Sequence, residues 1–138
     1  MRAEKALVIL LRVSAGLLLL ALGPVFFPHA WMAAINRAMG LGELPEMAIV
    51  GYLTRSLSAM YAFHGALVLC VSLDVRRYRP FIICLAGLGM VFGVFMLSLD
   101  VVLRMPWSWT VCEGPCIFVL CAAILTLAVR RRNQCAAG

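Results

Sequence analysis

Hydrophobic residues dominate four long stretches of this chain, roughly 6–27, 50–73, 81–103 and 110–129, and polar residues gather between them. An apolar run of about 20 residues is typical of a transmembrane helix, because a helix rises about 1.5 Å per residue through about 30 Å of hydrocarbon. Strands are excluded for these stretches, since an open sheet edge cannot satisfy its polar backbone groups in hydrocarbon. The pattern predicts an all-α integral membrane four-helix bundle, with residues 1–138 forming a single transmembrane domain.

The connection between the first two stretches, residues 28–49, is the only long one. Its first part has an apolar face at helical spacing, formed by Trp31, Ala34, Ile35, Ala38 and Met39. This spacing predicts a short interfacial helix over His29–Met39 that stops at Gly40. Shielding of the span ends is the favoured role, and a lid over a site is the alternative.

The charge distribution predicts the orientation of the chain. Only 13% of the residues are charged, against about a quarter in soluble domains. Nine of the 12 basic residues lie on one side of the predicted membrane, namely Arg2, Lys5, Arg12, Arg76, Arg77, Arg79, Arg130, Arg131 and Arg132. The positive-inside rule then places both termini in the cytoplasm of a bacterial inner-membrane protein, with the first span kept as a signal anchor. Because this bias accounts for the net charge of +6, no nucleic-acid partner is expected.

Three charges fall at a similar depth within the predicted spans. Arg55 precedes Asp74 by 19 residues, Asp100 follows Pro80 by 20, and Glu113 precedes Arg130 by 17. At 1.5 Å per residue they lie about 26–30 Å from the cytoplasmic surface. Ionisable groups at such depth are costly and are candidates for function.

Arg104 follows Asp100 by four residues, which predicts that the two share a helix face. We call Arg55, Asp100, Arg104 and Glu113 the outer polar cluster. Arg55 is expected to pair with Asp100, Glu113 or both, because a guanidinium can serve two carboxylates. A structural clamp is the favoured interpretation, and an outer-leaflet pocket that holds a polar head or performs acid–base chemistry is the alternative.

Two further groups of residues carry weaker signals. Tyr61 and His64 form a mid-membrane polar pair on nearly one helix face, favoured as a buried structural pair over a proton carrier or ligand site. Cys112 and Cys116 have neither redox nor zinc spacing, so a disulfide or soft-metal site is disfavoured. No metal site and no cofactor are expected, and the chain has no P-loop, G-x-S-x-G or H-E-x-x-H motif.

The layout resembles a family of small bacterial four-helix membrane proteins called DoxX-like. The residues that carry the resemblance are Tyr52-Leu53-Thr54-Arg55-Ser56-Leu57, the basic turn Asp74–Pro80, the glycine-rich third span ending at Asp100, and Glu113-Gly114-Pro115. The resemblance implies a bundle of four helices in a bacterial membrane. It carries over no functional residue.

Three classes of function stay open. A non-enzymatic membrane component, or a subunit that binds a lipid or partner, is favoured. An intramembrane enzyme or lipophile-binding protein with an outer-leaflet polar site is the first alternative, and a small oligomeric transporter is the second. The expected partners are the lipid bilayer, a lipophilic ligand, and a second copy of the chain or another membrane protein.

The predicted pairing of Arg55 with Asp100 is tested by a double-mutant cycle with Arg55→Gln and Asp100→Asn. If the two side chains pair, the double variant loses less stability than the two single losses combined, with a coupling of at least about 0.5 kcal/mol. Unfolding in detergent, followed by circular dichroism, measures the three variants. Additive losses would count against a pair.

Overall fold

The computed structural model describes residues 2–136, with side chains described from Ala3 to Arg130. This part of the chain contains helices and no strand, which confirms the all-α prediction. The helices are α1 (Arg2–Leu20), α2 (Leu22–Phe26), α3 (His29–Ala38), α4 (Ala48–Leu73), α5 (Arg79–Val102), α6 (Trp107–Cys112) and α7 (Gly114–Ala136).

Four helical segments are long and apolar enough to cross a membrane: Ala3–Phe26, Ala48–Leu73, Arg79–Val102 and Trp107–Arg130. Each matches one predicted stretch to within a few residues. The first segment combines α1 and α2, and the fourth combines α6 and most of α7. The short helix expected over His29–Met39 is present as α3.

The described chain divides into two compact units. The first unit contains residues 1–11 and 71–138, and the second contains residues 12–70. Helix α1 begins in the first unit and ends in the second, whereas α4 begins in the second unit and ends in the first. That the whole chain forms a single transmembrane domain stays a prediction.

Within the first unit, α5 and α7 approach each other backbone to backbone. A Cβ atom on Gly93 would lie 2.9 Å from the carbonyl oxygen of Gly114, and a Cβ atom on Gly114 would lie 2.8 Å from the backbone nitrogen of Leu97. Further along the same contact, a Cβ atom on Gly89 would overlap the sulfur of Cys121. The Gly89-x-x-x-Gly93 motif therefore acts in close helix packing, as its spacing predicts.

Within the second unit, Gly65 of α4 has the same role against α1. A Cβ atom at this position would lie 2.9 Å from both the carbonyl oxygen of Ala15 and the Cβ atom of Leu18. Gly65 carries no such signal in the sequence, because an isolated glycine in an apolar helix does not show which neighbour it meets.

The turn between α4 and α5 is held by Asp74. Its side-chain oxygen Oδ1 accepts a hydrogen bond from the backbone N–H of Arg77 at 3.1 Å, and its carbonyl oxygen accepts one from Tyr78 at 3.1 Å. Pro80 follows in the first turn of α5, where its missing N–H costs nothing. The tight basic turn predicted at this position is confirmed.

The glycine contact predicts opposite outcomes for two identical substitutions in α5. We expect Gly93→Ala to lower the free energy of unfolding by about 1–3 kcal/mol, because the added methyl group meets the α7 backbone. Gly87→Ala is the matched control, since its Cβ atom would meet nothing within 4 Å and alanine favours a helix over glycine. Equal stability of the two variants in detergent would contradict close packing at Gly93.

Candidate functional site

Glu113 lies at the break between α6 and α7. Its backbone angles, φ −90° and ψ −83°, are not helical. Pro115 follows two residues later, where it fits the first turn of a new helix but cannot donate a backbone hydrogen bond. The Glu113 side chain is partly buried, and its oxygen Oε2 accepts a hydrogen bond from the indole Nε1–H of Trp109. The carboxylate therefore bonds back across the last turn of α6 and stabilises this helix end.

Asp100 is the most enclosed member of the outer polar cluster. It lies in the last turn of α5, and only 4% of its surface is exposed. Its oxygen Oδ2 is buried and has no hydrogen-bond partner in the described part of the chain. Seven residues separate Asp100 from Gly93, so both lie on the face of α5 that meets α7. A buried carboxylate oxygen without a partner is a costly arrangement that calls for an explanation.

Asp100 and Glu113 lie on the same side of the contact between α5 and α7. Asp100 lies two turns beyond Gly93 on α5, and Glu113 directly precedes Gly114, the residue that Gly93 meets. Two carboxylates at such positions repel each other, so a proton, a cation or an arginine side chain would stabilise this end of the unit.

Arg104 does not lie on the helix face of Asp100, and this part of the prediction is wrong. Helix α5 ends at Val102, and Arg104 has a positive φ of 53°. The N–H of Arg104 bonds to Val101 at 3.2 Å, and the N–H of Met105 bonds back to the carbonyl of Asp100 at 3.0 Å. This is the pattern of a helix end that usually carries glycine, and Arg104 takes that position instead.

Arg55 belongs to the second unit and bonds to backbone carbonyls there. Its Nη2 donates to the carbonyl oxygen of Phe27 at 3.2 Å, and its Nη1 donates to that of Gly51 at 3.3 Å. The Phe27 oxygen lacks the usual helical donor, because the N–H of Trp31 bonds to Pro28 instead. Arg55 therefore joins α4 to the chain just after α2. Its pairing with Asp100 or Glu113 stays a prediction.

The mid-membrane pair Tyr61 and His64 lies on α4, and both residues are partly buried. Their role as a structural polar pair stays a prediction.

The cysteines flanking Glu113 are free thiols in the structure. Cys112 and Cys116 are both exposed. Because Pro115 has no N–H, the carbonyl of Val111 loses its helical donor, and the sulfur of Cys116 lies 3.6 Å from that oxygen. Among the described residues, no group of three or more His, Cys, Asp or Glu side chains is placed to hold a metal ion.

Two polar contacts were not predicted from the sequence. Trp109 and Glu113 are four residues apart, a spacing that brings side chains together on a helix and could have revealed their bond. The Nδ1 atom of His29 lies 3.8 Å from Oε1 of Glu46, and its buried Nε2 has no hydrogen-bond partner in the described chain. Seventeen residues separate this second pair, so no local spacing indicates it.

The backbone of Arg104 predicts a difference between two substitutions. A residue with a Cβ atom is strained in the left-handed region by roughly 1–2 kcal/mol, whereas glycine is not. We expect Arg104→Gly to be more stable than Arg104→Ala by about 1 kcal/mol, since both remove the same charge. Thermal unfolding in detergent compares them, and a more stable alanine variant would contradict the positive φ.

No protein-family model, curated protein or solved structure matches this chain. The DoxX-like resemblance stays a prediction.

Proposed function

We propose that this chain is a four-span protein of the bacterial inner membrane with both termini in the cytoplasm. Four apolar helices of spanning length support the insertion. The concentration of basic residues at the ends of the first, second and fourth spans supports the orientation. Trp107 and Trp109 begin the fourth span, where aromatic side chains favour the membrane interface.

Within that membrane, the protein acts as a non-enzymatic component that binds a lipid or a partner protein. The observation that carries this proposal is that polar side chains form hydrogen bonds within the protein itself. Arg55 bonds to Phe27, Trp109 bonds to Glu113, and Arg79 bonds to the carbonyl of Ala128 at 2.9 Å. Groups committed to internal bonds stabilise the fold and are less available for a substrate.

The surface of the helices supports a lipid or protein partner. Large apolar side chains are exposed on every span, among them Leu20, Phe63, Phe95 and Val119. Apolar surface of this extent requires lipid or another protein to cover it.

A lipophile-binding or enzymatic role at the outer leaflet is the second candidate. The buried Oδ2 atom of Asp100, with no partner among the described residues, is the observation that favours it. A ligand that carries a hydrogen-bond donor or a positive charge would complete the site formed by Asp100 and Glu113.

Native mass spectrometry from mild detergent separates the two candidates by comparing the wild-type protein with Glu113→Gln. For a non-enzymatic component, we expect both forms to retain the same phospholipids and the same assembly mass. The variant is expected to differ only in stability, because glutamine keeps an acceptor for Trp109 but lacks the charge.

Glu43→Gln is the control variant, because it also removes one acidic charge from the side of the membrane on which we place Glu113. Its side chain is 82% exposed and lies in the loop after α3. A discrete lipophilic molecule held by the wild type and by Glu43→Gln, but lost from Glu113→Gln, would overturn the first candidate and support the second.

A further inference from the structure

One side of α4 carries a row of side chains at alternating spacings of four and three residues. The row consists of Leu53, Leu57, Met60, His64 and Leu67. At 3.6 residues per turn this alternation keeps all five on one stripe along the helix, which we call the α4 stripe. Its four apolar members are exposed, and Met60 has 69% of its surface exposed. The described part of the chain therefore leaves this apolar surface open.

His64 is the polar member of the α4 stripe. It is partly buried, and its ring nitrogens have no hydrogen-bond partner in the described part of the chain. Nine residues, about 14 Å of helix, separate it from Leu73 at the end of α4. This distance is about half of the roughly 30 Å of hydrocarbon in a membrane, so His64 lies near the middle of the proposed span. Hydrocarbon chains cannot bond to an imidazole, so a polar partner at this depth would stabilise it.

A second copy of the chain supplies such a partner. A neutral imidazole has one N–H donor and one nitrogen acceptor, so it can bond to another imidazole. A two-fold axis along the membrane normal brings the same residue of two copies to the same depth. The spacing of four and three residues is also that of helices that pack side by side at about 20°. Lipid would cover the apolar members of the stripe but would leave the imidazole of His64 without a partner.

We propose that two copies of this protein form a two-fold symmetric dimer in the membrane through the α4 stripe, with the two His64 side chains hydrogen-bonded at its centre. The proposal rests on the proposed membrane insertion, and it deepens the proposed function because it names a second copy as the partner protein. The next position of the row, Val71, is buried within the chain itself. The contact therefore extends from Leu53 to Leu67 and ends before the cytoplasmic end of α4.

The test is energy transfer between full-length copies that carry a donor or an acceptor fluorescent protein at the C-terminus. The two forms are reconstituted together in vesicles of phosphatidylcholine and phosphatidylglycerol at a series of protein-to-lipid ratios. The wild type is expected to show transfer that falls on dilution with lipid, as a monomer–dimer equilibrium requires. His64→Leu is expected to raise the dissociation constant about three- to tenfold, the effect of one hydrogen bond between transmembrane helices. His64→Gln is expected to keep the wild-type constant, because a carboxamide also has a donor and an acceptor.

A matched pair of leucine substitutions locates the contact. Leu57 lies on the α4 stripe and is 54% exposed, whereas Leu88 lies on α5 and is 64% exposed. Leu57→Ala is expected to weaken the dimer, because it removes packing at the contact. Leu88→Ala removes the same atoms elsewhere and is expected to leave the dissociation constant unchanged. Circular dichroism checks that each variant keeps its helices.

Four results would each overturn the proposal. They are a wild type with no transfer above that of random proximity, a dissociation constant unchanged in His64→Leu, a loss in His64→Gln as large as in His64→Leu, and equal weakening by Leu57→Ala and Leu88→Ala.

A failure of the proposed function would be seen in different measurements. A protein that does not float with the vesicles in a density gradient is not inserted, and the comparison with Glu113→Gln does not involve the α4 stripe. Copies that float with the vesicles but show no transfer would overturn the dimer alone and leave membrane insertion intact.

Discussion

The backbone contact between Gly93 and Gly114 sets how α5 and α7 pack in the first unit. With no side chain at either position, α5 and α7 approach within van der Waals distance. The contact sets the register of the two helices. Asp100 follows Gly93 by two turns, and Glu113 directly precedes Gly114, so the same register places both residues at one end of the α5–α7 contact. A larger residue at either glycine would push the two helices apart, and the two carboxyl groups would move apart with them.

Interruptions of the helices explain where the polar side chains lie. Each helix end leaves backbone carbonyls without their usual donors, and in the proposed membrane no water would replace them. Arg55 bonds to the carbonyl of Phe27 beyond α2, and the sulfur of Cys116 lies near the carbonyl that Pro115 leaves free. The N–H of Met105 closes the end of α5. Several polar side chains in these apolar segments therefore bond to backbone groups that the helices leave without a partner.

The two ends of the first unit differ in chemistry. At one end, Asp100 and Glu113 are acidic, and Trp109 bonds to one of them. At the other end, Arg76 pairs with Glu4 and so joins the turn after α4 to α1. An ion pair within the protein connects two of its segments, whereas a charged group without a partner can attract a ligand. The buried Oδ2 atom of Asp100, without a partner in the described part of the chain, is the feature at the acidic end that favours the second candidate function.

The sequence by itself determined the four apolar segments and the short helix α3, to within a few residues at their ends, because apolar length, proline and glycine act locally. The breaks between α1 and α2 and between α6 and α7 were not predicted. The spacing Gly89-x-x-x-Gly93 is also visible in the sequence, and the similar depth of Asp100 and Glu113 stays a prediction. Only the tertiary structure decided that Gly93 meets Gly114, that Arg55 bonds to Phe27, and that Arg104 leaves the helix. These contacts depend on how each helix is rotated about its axis and on how the chain continues beyond its end. Packing between distant residues sets both, and no local pattern encodes them.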